Sequence, residues 1–126
     1  IMYVTDFDDS DYKAIEKLMN IINPFNIRLY CVHISSEDTN KLDSIQMNNF
    51  REHIKNDFPS QTFECDLIEQ EDELKGIQDF IAEKNIDIIS LVTHKQNIIS
   101  KILNPDIAKK LLFHTNIPLL VFHAKD

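Results

Sequence analysis

Two apolar runs, from Ile86 to Val92 and from Pro118 to Phe122, flank a polar loop and a stretch that opens Asn104-Pro105-Asp106. The segment reads as strand, loop (residues 93–103), helix, strand. Strands joined through a helix run parallel, which commits the chain to a layered α/β arrangement. In such a unit the helix start after a strand is where phosphate usually docks, because free N–H groups and the helix dipole converge there. Here Asn104 is a good N-cap, Pro105 fits the first helical position, and Asp106 places a carboxylate in the first turn. The helix start supplies its own anion.

The rest of the chain repeats the alternation. Residues 1–5 are a short apolar run, and an acidic patch from Asp6 to Asp11 leads into Ile15, Leu18, Met19 and Ile22 at helical spacing. Asn23-Pro24 ends that helix, and residues 27–34 (IRLYCVHI) form a second strand. Leu42, Ile45, Phe50, Ile54 and Phe58 mark a longer amphipathic helix that stops before Pro59. Residues 62–68 alternate, with Phe63, Cys65 and Leu67 on one face and Thr62, Glu64 and Asp66 on the other, as in a strand at a sheet edge. Leu74, Ile77, Phe80 and Ile81 define the third helix, which Asp72 can cap and Asn85 ends. Five strands and four helices alternate, so a mainly parallel sheet covered on both faces is expected, forming one domain over residues 1–126. The chain opens on Ile1 and runs directly into strand, which fits a piece of a longer protein.

Charge and composition exclude several functions. A formal net charge of −8 argues against nucleic acid or an anionic membrane as partner. No apolar run reaches membrane-spanning length, and none resembles a signal peptide. Cys31 and Cys65 lie inside apolar runs without metal-ligand spacing, as buried thiols in a reducing cytoplasm would. The single glycine, Gly76, falls within a helix, which removes every glycine-rich phosphate loop.

The catalytic constellations also fail. Asp6-Phe7-Asp8 has the DxD opening of an aspartyl phosphotransferase, but no downstream acidic pair stands at a strand end to hold Mg²⁺. A phospho-receiver would need an Asp at the end of the third strand, where Asp66 is mid-strand; Thr93 and Lys125 alone would match it. Ser100 has no nucleophile elbow. His33, His94 and His114 have no ligand spacing; His94 falls in the central loop and His114 near a helix C-terminus. The run from Glu69 to Glu73 suits a solvated helix start. No enzyme follows from these residues.

Val4-Thr5-Asp6-Phe7 closing the first strand, residues 30–34 (YCVHI) in the second, and the tail from Leu91 to Phe122 together resemble the universal stress protein family. Thr93-His94, Ser100-Lys101, Ala108, His114 and Pro118 fall in register with its tail. The resemblance implies a flavodoxin-like, adenine nucleotide alpha hydrolase-like fold: an open twisted five-stranded sheet of order 3-2-1-4-5. It also implies pairing through the last strand, as a homodimer or as the C-terminal half of a tandem pseudo-dimer. The charges of Glu64 and Asp66 at one edge, against none in the final strand (Pro118 to Phe122), agree with that.

ATP-binding members carry Gly-x2-Gly-x9-Gly-Ser/Thr, and the matching positions here are Val92, Lys95, Pro105 and Asp106, none of them kept. A carboxylate beside the phosphates costs on the order of 1–3 kcal/mol per unit charge, which Lys95 offsets in part. At the adenine end, Asp6 matches the acidic base contact and Ile34 a residue that contacts the base through its backbone. The expectation is a non-catalytic, cytoplasmic stress-response domain without cofactor, its phosphate site degenerate. The alternatives are an adenine-nucleotide (ATP) binder using Lys95, or a Mg²⁺-dependent phosphotransfer domain using Asp6 and Asp8.

Overall fold

The computed structural model describes residues 1–35, 41–94, 111 and 115–124. The elements are β1 (Met2–Val4), α1 (Asp9–Ile22), β2 (Leu29–Ser35), α2 (Lys41–Asp57), β3 (Phe63–Glu69), α3 (Glu73–Lys84), β4 (Ile89–His94) and β5 (Leu119–Ala124). The strands form one sheet in the order β3-β2-β1-β4-β5, and every pairing is parallel. The fold expected from the sequence is therefore present. Lys95, Ser100, Asn104, Pro105, Asp106, Ala108, His114 and Lys125 lie outside the described residues.

Alternate residues of each strand face opposite layers. On one side Met2, Val4, Tyr30, Val32, Ile34, Ile89 and Leu91 pack with Ile77 and Phe80 of α3 and with Leu111. On the other, Tyr3, Leu29, Cys31 and Val92 meet Ile15, Leu18, Met19 and Ile22 of α1 and Phe50 and Ile54 of α2. Gly76 lets α3 lie close to β2, since a Cβ there would stand 3.2 Å from Ile34 Cδ1. Asp72 caps α3, its carboxylate accepting the Lys75 N–H at 3.2 Å, and Asn85 ends the helix in the left-handed region at φ 53°.

Several sequence expectations shift. Leu42 and Ile45 are exposed, and Met47 takes their place in the core. At about 100° per residue Met47, Phe50 and Ile54 share a stripe that Ile45 points away from. The strand expected to start at Ile86 begins at Ile89. Ile86 instead tucks beneath the end of α3, its N–H donating to the Ile81 carbonyl at 3.1 Å. Cys65 is half-buried rather than buried, because β3 is an edge strand. Most relevant to function, β4 does not end at Val92 but runs on to His94.

Candidate functional site

The sheet opens at one place. β4 pairs with β1 only at Met2–Ile89 and Tyr3–Ser90. Beyond that β1 stays with β2 through Val4–Val32, while β4 stays with β5 through His94–Ala124. The crevice between the carboxyl ends of β1 and β4 is the switch point at which open parallel α/β sheets bind ligands. Asp6 lies in the loop after β1, Ile34 near the end of β2, and Val92 near the end of β4. Three of the five expected site residues thus share the carboxyl edge; Lys95 and Asp106 are not described.

Val92 is 4% exposed, its side chain in the core beneath α1 and its backbone opposite Phe122 in the β4–β5 ladder. Thr93 follows it opposite His123, with Thr93 Oγ1 3.1 Å from His123 Nδ1. The position where the family resemblance places the first phosphate-wrapping glycine is therefore regular strand.

The loop after β1 is organised by Asp11, a residue the sequence offers only as the last of the acidic patch that begins at Asp6. Asp11 is buried. Its Oδ1 accepts the Tyr3 hydroxyl at 2.6 Å, and its Oδ2 accepts the backbone N–H groups of Asp6 at 3.0 Å and Asp8 at 3.1 Å. Asp8 is the N-cap of α1, so the Asp11 carboxylate reaches back from N3 as in a capping box. Burial pushes the Asp11 carboxyl above its ordinary value, and the bonds from Tyr3, Asp6 and Asp8 act against that push. Burial and the Asp11 charge together drive the Tyr3 phenol far above its usual range. The Asp8-x-x-Asp11 spacing ahead of an apolar run was the sequence signal for this arrangement.

Phe7, between the two tethered residues, sits at φ 62°, a region that disfavours a side chain with Cβ. Its N–H donates to Thr5 Oγ1 at 3.0 Å. Its ring leans on His33, centroids 4.5 Å apart, and meets Phe50 edge-on at 6.1 Å. His33 is buried and its Nδ1–H donates to the Thr5 carbonyl at 2.7 Å. Asp43 lies 3.9 Å from the other ring nitrogen, too far for a hydrogen bond. The loop is held on three sides, and Asp6, half-exposed, is carried on it at the mouth of the crevice. Among the described residues no group of three or more His, Cys, Asp or Glu side chains is arranged to hold a metal ion. Nor is any described helix long and apolar enough to cross a membrane.

A separate groove of about 470 Å³ runs between α1 and the edge strand β5. It is lined by Asp9, Lys13 and Lys17 on the helix and by Phe122, His123 and Ala124 on β5.

No family model and no curated protein matches the chain. Solved structures do. The chain is similar to the universal stress protein from Archaeoglobus fulgidus, with a TM-score of 0.73 and 17% identity over 95% of each chain. The universal stress protein of that organism in complex with dAMP gives a TM-score of 0.69 at 16% identity, over 95% of this chain and 94% of that one. A universal stress protein in complex with cAMP gives 0.66 at 16% identity, over 98% and 97%. At these identities the likeness is one of fold: the chain has the five-stranded parallel architecture of the universal stress proteins.

Proposed function

We propose that the chain is a divergent universal-stress-protein-like domain, non-catalytic and cytoplasmic, whose phosphate site is degenerate and which acts by pairing with a second such domain through β5. The observation that carries this reading is the course of β4. Val92 and Thr93 stay in register with Phe122 and His123 of β5, and the Val92 side chain fills the space beneath α1, so a regular strand that carries side chains stands where the resemblance places a glycine. In the sequence, Pro105 lacks an N–H donor and Asp106 adds negative charge where a hydroxyl would serve. Lys95 alone opposes them.

The edge of the sheet supports the pairing half of the proposal. Leu119, Leu120, Val121 and Phe122 are half-buried on a strand with no charged side chain and no neighbour beyond it among the described residues. Edge strands of that kind are normally guarded or covered. A second copy, or a sister domain in tandem, would cover both the strand and the groove beside α1.

A second reading has its own support. Two of the similar structures hold dAMP and cAMP, ligands with one phosphate rather than three. The adenine end is less altered than the phosphate end: Asp6, in the loop after β1, and Ile34, near the end of β2, occupy the positions to which the resemblance assigns contact with the base. A nucleoside or monophosphate would therefore be accommodated more readily than ATP. Calorimetry with ATP, AMP and adenosine separates the readings. Silence with all three supports the first, heat from AMP or adenosine alone supports the second, and micromolar ATP binding rejects the degenerate site.

A further inference from the structure

Cys31 of β2 and Cys65 of β3 are direct partners in the parallel register. Register partners share a face, and both belong to the layer beneath α1 and α2. Neighbouring strands lie about 4.8 Å apart, inside the Cα separation that a disulfide spans. The two thiols differ in setting. Cys31 is fully enclosed, whereas Cys65, on the edge strand, is half-exposed. The charge of Arg51 on α2, half-buried and bonded to Asn48 Oδ1 at 2.7 Å, acts on Cys65.

We infer that Cys65 and Cys31 form an oxidisable dithiol, in which Cys65 is the site of attack on a hydroperoxide and Cys31 converts the product to a disulfide joining β2 to β3. The thiolate is the reactive form, and its environment decides which cysteine holds it. The neighbouring Cys31 thiol and the Arg51 guanidinium pull the Cys65 thiol below its ordinary value, against burial and the Asp66 charge. Cys31, fully buried beside Cys65, is pushed up. One thiol is thus prepared to attack and the other to resolve.

The steps balance. The Cys65 thiolate attacks one peroxide oxygen, the O–O bond breaks, and hydroxide or alkoxide leaves and takes a proton to become water or alcohol. Sulfur loses two electrons to the peroxide and becomes a sulfenic acid. Cys31, giving up its proton, then attacks the Cys65 sulfur; the S–O bond breaks, the S–S bond forms, and the sulfenic oxygen departs as water. One hydroperoxide is consumed per disulfide.

The test uses the reduced chain, whose only two cysteines these are. It is treated with a small excess of hydrogen peroxide, alkylated with N-ethylmaleimide in denaturant, and weighed intact. The wild type should lose both alkylation sites and two hydrogens, give a linked peptide pair containing Cys31 and Cys65, and recover on reduction. Cys31→Ala should stop at a sulfenic acid on Cys65 that dimedone traps, and Cys65→Ser should leave Cys31 unoxidised. Arg51→Met, with unchanged circular dichroism, should slow disulfide formation roughly tenfold, the effect of one pKa unit on the thiolate fraction. Full alkylation of peroxide-treated folded wild type, oxidation of Cys31 in Cys65→Ser at the wild-type rate, or links between chains in place of the internal one would overturn the inference.

Discussion

Tyr3→Phe removes a single oxygen from the middle of the sheet and tests whether Asp11 holds the loop on which Asp6 is carried. Tyr3 is fully buried, and its hydroxyl donates to Asp11 Oδ1 at 2.6 Å. A hydrogen bond to a charged group contributes about 1.5–3 kcal/mol, and the void left by one oxygen adds little. The expected loss at neutral pH is about 2 kcal/mol, near thirtyfold in the folding equilibrium. With a urea slope of about 2 kcal/mol/M the midpoint falls by about 1 M.

The pH dependence has a definite sign. Burial raises the Asp11 carboxyl on folding, so the group favours the fold below its ordinary value of 3.8 and gives that contribution up as pH rises through the folded value. The Tyr3 hydroxyl limits the rise. Without it Asp11 moves higher still, and the variant gives up more stability than the wild type over the same range. The deficit of Tyr3→Phe should therefore be largest at neutral pH and shrink toward the most acid condition in which the wild type remains folded. Urea melts followed by circular dichroism at neutral and acid pH measure it. A deficit below about 0.5 kcal/mol at neutral pH, or one that does not change with pH, would refute the role assigned to Asp11.

Two further outcomes follow from the loop and the edge. Phe7→Ala should cost more than Phe7→Gly by about 1 kcal/mol, because both lose the contacts with His33 and Phe50 but only glycine also relieves the φ of 62°; equal melting midpoints would contradict the strain. The Ile89 N–H donates to the Pro118 carbonyl, and continuing that parallel ladder turns the Val121 N–H away from β4 toward the free edge. Val121→Pro should then leave the fold intact by circular dichroism while converting a sedimenting dimer to monomer; a dimer that survives the change would sink pairing through β5, and a wild type that is monomeric at every concentration would sink the homodimer.

How much of this could be read from the sequence depended on whether a feature repeats. The alternation of apolar runs with amphipathic stretches gave the order of elements and the sheet, because each period is sampled several times along the chain. Boundaries were less legible. Asn85 announces the end of α3, but nothing local says that Ile86 serves the helix before β4 begins three residues later at Ile89. The end of β4 is obscured for a related reason: Thr93 and His94 are polar and read as loop, yet pairing with His123 and Ala124 keeps them in the sheet. At the site, Asp6, Ile34 and Val92 were placed by family resemblance alone. Asp11 and His33 do not stand out in the sequence as supports of the loop, since their partners are Tyr3 on a different element and the Thr5 carbonyl just past the neighbouring strand. Contacts of that kind are set by strand register, which sequence periodicity does not encode.

The most direct test of the degenerate phosphate site is to titrate the ¹⁵N-labelled chain with ATP and follow the amide resonances of Thr5–Phe7, Ile34–Ser35 and Val92–His94. The account predicts no saturable shift at Val92, Thr93 or His94 up to millimolar ATP, whatever adenosine does at Asp6 and Ile34. Saturable movement of those three resonances at micromolar ATP would contradict it.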